Sequence, residues 1–337
     1  MQYRILGKTG LKVSAVGFGG IPIQRIDARG TRALMERLVE KGVNYIDTAR
    51  GYTVSESYLG EALSGGLREK FILATKSMSR GYADMARDIG ISLSNLRTDY
   101  IDLYQLHNIK SDADFELAFS AEGAVAAIQD AIRAGKVGHL GATAHSVDSF
   151  ERLLSYPEIE TIMFPYNIVE SQGEALMERA AAQNVGVIAM KPLAGGNITD
   201  GTLAMRYILQ NKTCTLAIPG MATLEEIEQN TAAAEQDGPL TPEELAACEA
   251  IRAGLSGNFC RRCGYCAPCT VGIDIPSNFL MANYTRKYGL ADWARGRYEG
   301  LAHHAGECIE CGVCESRCPY ELPIRKMLKD VAAQFGY

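Results

Sequence analysis

Apolar residues over the first two thirds of the chain follow two alternating rhythms. Short runs of five to seven residues read as buried strands: VSAVGF (13–18), VNYIDT (43–48), FILATK (71–76), YIDLYQL (100–106), VGHLGAT (137–143), TIMFPY (161–166), VGVIAM (185–190) and TLAIP (215–219). Between them, stretches such as ARGTRALMERLVEKG (28–42), EGAVAAIQDAIRAGK (122–136) and SQGEALMERAAAQN (171–184) repeat apolar positions at three and four, as one face of a helix does. Gly42, Gly135 and Asn184 stand where a helix C-cap favours a left-handed residue. Eight strand–helix units predict an α/β chain whose parallel strands close into a (β/α)8 TIM barrel, with crossover helices covering the sheet. A doubly wound open sheet is the competing reading. The count of eight, and the lack of GxGxxG after the first strand, favour the barrel.

The rhythm stops near residue 238, where GPLTPEELAACEAIRAGLSG offers a turn, Thr241 as an N-cap before Pro242, a short helix and a Gly/Ser break. We therefore divide the chain into a barrel, 1–254, and a small α-helical domain, 255–337. Cysteine placement gives the second part its character. Of ten cysteines only Cys214 and Cys248 lie outside the span from Cys260 to Cys318. Such clustering points to metal in a reducing compartment, whereas a disulfide scaffold spreads its bridges through a small secreted chain.

The first motif, CRRCGYCAPC, carries Cys260, Cys263, Cys266 and Cys269; the second, CIECGVCESRCP, carries Cys308, Cys311, Cys314 and Cys318, followed by Pro319. Steps of three let one tight loop aim three thiolates at one cluster, and in two-cluster proteins the fourth cysteine of a motif ligates the other cluster. The second motif resembles the bacterial ferredoxin run throughout. The expectation is two [4Fe-4S] clusters, one on Cys260, Cys263, Cys266 and Cys318, the other on Cys308, Cys311, Cys314 and Cys269. The first motif departs from the pattern, with two residues before its last cysteine and Pro268 ahead of it. Zinc and disulfides are the alternatives; structural zinc sites usually separate paired cysteines by a longer loop. The intervening residues 270–307 have helical spacing and resemble the helical ferredoxins that relay electrons in several dehydrogenases. Tyr284, Trp293 and Tyr298 read there as packing.

Charge narrows the partners. With 34 Lys and Arg against 40 Asp and Glu, the net charge of -6 argues against a nucleic-acid binder. No apolar run approaches the roughly 18 residues of a membrane span, and the start, MQYRILGKTG, lacks the apolar core of a secretory signal. A cytoplasmic protein with no nucleic-acid or membrane partner is expected.

Barrel chemistry sits at the C-terminal ends of the strands. There Asp47 ends the second run, Tyr52 follows in its loop, Lys76 ends the third and His107 follows the fourth. The types suit carbonyl reduction: a phenol to donate a proton, an ammonium paired with Asp47 to lower the phenol's pKa from about 10, and an imidazole to hold the carbonyl oxygen. Singly, each has a plainer reading as a turn cap, a solvated lysine or a core histidine.

The segments YRILGKTGLKVSAVGFGG, IDTARGY with SESYLGEAL, ILATK, DLYQLH, and IPG with LEEIEQN resemble the aldo-keto reductase family over roughly residues 1–235. With the cysteine tail, the chain resembles that family's ferredoxin-linked branch. The resemblance implies Tyr52 as general acid/base, with Asp47, Lys76 and His107 as its partners. It also implies a nicotinamide nucleotide across the barrel top, held by a Ser-Asn pair, a Gln, an aromatic and basic residues for the 2′-phosphate. This chain has Thr143 and Ala144, Met163, Met190, and IPGMATLEEIEQN at those places. Gly220 and Glu226 stand where Lys and Arg are expected, so a 2′-phosphate meets a carboxylate without a compensating cation. NAD(H) or NADP(H) is expected, NADH favoured, with contacts from Thr143, Lys191, Gly195, Gly196, Asn197, Gly220 and Asn230. His145 and Asn167 are expected to line the substrate pocket.

The function expected is an aldo-keto reductase-type oxidoreductase acting on a small carbonyl or alcohol, with clusters that transfer electrons to a protein partner. The rival readings are an electron-transfer module, or a redox sensor whose barrel binds a nucleotide or partner without carbonyl turnover.

Overall fold

The structure, a computed structural model, describes residues 1–236, 238–255, 259–261, 266–318 and 320–337, without the side chains of 287 and 288. It divides into two units, Met1–Ala194 with Thr199–Glu244, and Gly195–Ile198 with Leu245–Tyr337. The helix Pro242–Leu255 spans both this division and the one drawn from the sequence at 254/255.

The first unit opens with an antiparallel hairpin, β1 (Tyr3–Ile5) and β2 (Lys12–Ser14), paired Tyr3 to Ser14. Eight strands then form one parallel sheet in chain order: β3 (Phe18–Gly19), β4 (Tyr45–Asp47), β5 (Ile72–Ser77), β6 (Ile101–Leu106), β7 (Val137–Thr143), β8 (Thr161–Pro165), β9 (Gly186–Met190) and β10 (Leu216–Ala217). The sheet closes on itself. Gly17 N–H donates to the Ala217 carbonyl and Gly19 N–H to the Pro219 carbonyl, both at 2.8 Å, and Val16 and Gly19 bridge Ala217 and Gly220. The expected (β/α)8 barrel is the fold.

The run read as one strand over 13–18 is split between β2 and β3. Ser14 turns the chain there: its hydroxyl donates to the Val16 carbonyl at 2.8 Å, and its N–H goes to the Asn44 side chain at 2.7 Å. The hairpin thus leaves the barrel ladder, and buried Leu6 and Val13 join the core cluster that contains Tyr45, Leu103 and Ile188. Gly7 (φ +52°) makes this packing feasible, because a Cβ there would lie 2.2 Å from the Gly186 nitrogen.

Period-two alternation decides what faces the interior. Tyr45, Ala74 and Leu103 belong to the barrel's core cluster, so the residues two further along, Asp47, Lys76 and Gln105, share its face at the strands' C-terminal ends. Helices Ala28–Glu40, Ala124–Arg133 and Glu174–Ala182 occupy the stretches read as helical. The C-cap residues Gly42, Gly135 and Asn184 have φ of +73°, +68° and +55°.

In the second unit, helices Ile275–Tyr288, Ala291–Glu299 and Ile324–Phe335 build a core with Phe279, Tyr298, Leu328 and Phe335, in which Cys260, Cys266 and Cys314 are buried. Among the described residues no helix is long and apolar enough to cross a membrane.

Candidate functional site

The registers that align Lys76 with Gln105, and Asp47 with Ala74, bring three polar side chains together at the top of the barrel core. The Lys76 ammonium donates to Asp47 Oδ1, and to the Thr48 carbonyl at 2.8 Å; Gln105 Nε2 donates to Asp47 Oδ2 at 3.0 Å. Asp47 and Lys76 are each 2% exposed. Burial pushes the Lys76 ammonium below the ordinary lysine range, against the pull of Asp47 and then Glu56. Burial likewise raises the Asp47 carboxyl, opposed by Lys76 and Gln105. Removal of water makes each charge depend on the other.

Tyr52 sits above this pair, half-buried, with the Lys76 nitrogen 5.0 Å from its ring centroid. His107, also half-buried, meets Tyr52 edge-on at 6.0 Å between ring centroids and an interplanar angle of 89°. The backbone beneath His107 is fixed twice, by its N–H to the Ser77 carbonyl at 2.8 Å and by Arg80, which donates to the carbonyls of His107 (2.9 Å) and Asn108 (3.0 Å). All four residues singled out from the sequence therefore meet. Gln105, which orients Asp47, was missed. Its signal was a polar residue in phase with Leu103 on an otherwise apolar strand face.

The remaining mouth residues divide by what already holds them. The Thr143 hydroxyl accepts from Asn108 N–H at 2.7 Å, so it braces the loop after β6. Asn167 is fully engaged: its amide donates to Glu170 (2.8 Å) and to the Lys191 carbonyl (2.9 Å), and its oxygen accepts from the N–H groups of Val169 and Glu170. Lys191 Nζ and His145 Nδ1 lie 2.9 Å apart, bridging the segments after β9 and β7. Gly195 and Gly196, with φ of +68° and +82°, group with the second unit, as does Asn197. Gly220 bridges Gly19, and a Cβ on it would press on Pro22 at 2.7 Å. Asn230 is buried, and its Oδ1 has no hydrogen-bond partner among the described residues.

Glu226 does something the sequence reading overlooked. It closes a capping box on helix Leu224–Ala232, accepting from the N–H groups of Ala222 (2.6 Å) and Thr223 (3.1 Å) while Thr223 Oγ1 accepts from Glu226 N–H. The carboxylate thereby fills the helix N-terminus, where an anion would otherwise bind.

In the second unit Cys269, Cys308, Cys311 and Cys314 line one cavity together with Thr270 and Arg325. These are the four thiols grouped from their spacing, including Cys269 from the irregular end of the first motif. Cys311 is exposed, and its thiol is held below the ordinary cysteine range, first by the Thr270 hydroxyl at 3.3 Å and then by a backbone N–H of Val313. Among the described residues no three His, Cys, Asp or Glu side chains close to the spacing of a single metal ion. Of the other set, Cys260 and Cys266 are buried and Cys318 is half-buried; Cys263, like Pro319, lies outside the described residues.

A closed parallel barrel with a tyrosine over a buried lysine–carboxylate pair at the strand ends, carried with a cysteine-rich helical unit, defines a barrel oxidoreductase. The model described as the Aldo/keto reductase family matches residues 15–202, more than half of the sequence, and the chain belongs to that family. A 4Fe-4S dicluster domain matches residues 259–323. L-galactose dehydrogenase of Arabidopsis thaliana is 28% identical over 306 residues, covering 74% of this chain and 94% of that protein. Aldo-keto reductase YhdN of Bacillus subtilis is 26% identical over 229 residues, covering 62% and 67%. Among solved structures, the holo form of aldo-keto reductase AKR11C1 from Bacillus halodurans aligns with a TM-score of 0.65 and 26% identity, over 74% of this chain and 96% of that one.

Proposed function

We propose that the barrel interconverts a small carbonyl compound and its alcohol with Tyr52 as the general acid/base. The observation that carries this reading is the buried Lys76–Asp47 pair directly beneath the Tyr52 ring. A bound dihydronicotinamide supplies the hydride for the carbonyl carbon. Tyr52 gives its phenolic proton to the carbonyl oxygen: the hydride's electron pair makes the C–H bond, the C=O π pair makes the alcohol O–H bond, and the pair of the broken phenolic O–H stays on the Tyr52 oxygen. The Lys76 ammonium stabilises the phenolate left behind, Asp47 and Gln105 hold that ammonium in place, and His107 positions the carbonyl oxygen. Tyr52→Phe is expected to lower kcat by about 10²-fold or more while the dissociation constants of nucleotide and substrate stay close to wild type. Wild-type-like turnover would remove Tyr52 from this role.

Asn230, Gly220, Thr143, Lys191, Gly195, Gly196 and Asn197 remain the proposed nucleotide contacts, with His145 and Asn167 at the substrate pocket. The unpartnered Asn230 oxygen is an acceptor suited to an amino group. NADH is favoured over NADPH because Glu226 already occupies the amides of residues 222 and 223, so a 2′-phosphate meets a carboxylate in place of free donors.

The cysteine-lined cavity suits a cluster: four thiols surround a space instead of converging on a point. We assign one [4Fe-4S] cluster to Cys269, Cys308, Cys311 and Cys314 and the second to Cys260, Cys263, Cys266 and Cys318. Such clusters pass single electrons. Hydride transfer moves two together, so the clusters are read as serving a one-electron protein partner.

A further inference from the structure

We infer that Glu56, a buried carboxylate outside the barrel wall, is a positioning residue that locks Tyr52 and Lys76 into one geometry. This deepens the reading of Tyr52 as the proton donor and rests on it.

Glu56 is 2% exposed and lies in the first turn of helix Ser55–Ala62, four residues after Tyr52. All of its acceptor capacity is used. Oε1 accepts from the hydroxyls of Thr75 and Ser92, both at 2.8 Å; Oε2 accepts from Arg50 Nη1 at 2.9 Å and Asn95 Nδ2 at 3.2 Å. Its charged neighbours are Arg50 from its own loop and Lys76 from β5; Asp88 from helix Tyr82–Leu96 lies against Arg50 at 3.8 Å, and Tyr104 of β6 reaches Ser92 at 3.2 Å. The site is built at some steric cost. Gly60, one turn after Glu56, lets the two helices touch, since a Cβ there would lie 2.1 Å from the Asn95 carbonyl.

These partners reach both halves of the proposed catalytic pair. Thr75 and Ser77 flank Lys76 on β5 and point outward where Lys76 points inward; Glu56 holds the Thr75 hydroxyl and Asp88 holds that of Ser77. Arg50, clamped by Glu56, donates its own N–H to the Lys76 carbonyl at 3.0 Å and leads into the tight turn carrying Tyr52, whose N–H goes to the Ala49 carbonyl at 3.0 Å. That turn is strained: Thr53 is β-branched yet has φ of +45°. A strained loop keeps its shape only when its neighbours over-determine it. The Arg50–Glu56 ion pair closes the loop across Tyr52 and supplies part of that constraint.

The experiment compares wild type, Glu56→Gln, Arg50→Gln, Tyr52→Phe and Glu56→Gln/Tyr52→Phe by amide hydrogen exchange and by steady-state kinetics with NADH and 4-nitrobenzaldehyde as probes. Glu56→Gln keeps the side-chain shape but removes the charge that pairs with Arg50 and leaves only one of the two terminal atoms able to accept. Exchange is expected to accelerate at residues 50–55 and remain unchanged elsewhere in the barrel. For Glu56→Gln, kcat is expected to fall about 10- to 100-fold with KM within about twofold, the signature of a misplaced catalytic group. In the Tyr52→Phe background the added substitution is expected to cost nothing more, because its effect runs through Tyr52. Arg50→Gln, which leaves the buried acceptor with three donors, reproduces the kinetic loss should Glu56→Gln fail to fold. Unchanged exchange at 50–55, or faster exchange with unchanged kcat, overturns the inference. Full activity of Tyr52→Phe overturns the underlying reading instead.

Discussion

Lys76 and Asp47 have almost no water to fall back on, so a substitution at either strands a buried charge. Lys76→Met is expected to destabilise the barrel by about 3–5 kcal/mol, whereas Lys76→Met combined with Asp47→Asn recovers most of that loss because no unpaired ion remains. Thermal unfolding of the two variants checks this; equal destabilisation would refute the account. Both proteins are expected to be inactive, separating what the pair does for stability from what it does for Tyr52. The sequence exposed the residues whose chemistry is unusual for their place, namely Asp47, Tyr52, Lys76 and His107. It hid Gln105, which reaches Asp47 58 positions away, and Glu56, which besides Arg50 six positions before it binds side chains 19 to 39 positions away. An acidic side chain on the buried stripe of a helix, beside Leu59 and Gly60, was the available sign for Glu56.

At the scale of elements, the strands were legible because parallel barrel strands are buried on both faces and read as continuous apolar runs. The N-terminal hairpin was not, since its three-residue strands are too short to show alternation. Helix ends were legible where a residue with positive φ closes them, as at Gly42 and Gly135. On the proposed reading, the start of helix Leu224–Ala232 serves two purposes, as a capping box and in nucleotide choice. Glu226→Gln retains a capping-box acceptor and removes its charge. We expect stability to change by less than about 1 kcal/mol while the proposed preference for NADH over NADPH falls by about tenfold or more. Fluorescence titration of both nucleotides reads the change, and an unaltered ratio would clear Glu226 of discrimination.

Across the whole molecule, the change of character after residue 238 separated a barrel from a cysteine-rich part, but not at a sharp boundary. Helix Pro242–Leu255 buries only Cys248, so its apolar pattern does not declare which unit it packs on. The grouping of Cys269 with the second motif was expected from the resemblance to two-cluster ferredoxins, against the irregular spacing at that cysteine, and Cys269 does line one cavity with Cys308, Cys311 and Cys314. Cys311→Ala is expected to leave about four of the eight iron atoms that two [4Fe-4S] clusters require, as measured by iron and sulfide analysis. Retention of all eight would redirect the ligand assignment.

On the proposed ligand assignment, the exposure of Cys311 in one set, against the burial of Cys260 and Cys266 in the other, also ranks the two clusters by their shelf life in air. Dissolved oxygen reaches the Cys311 corner without any opening of the fold, and thiolate sulfur oxidises where it is accessible. Aerobic purification is therefore expected to discard that cluster first and leave a half-loaded, paler protein, so anaerobic handling decides which molecule is being assayed.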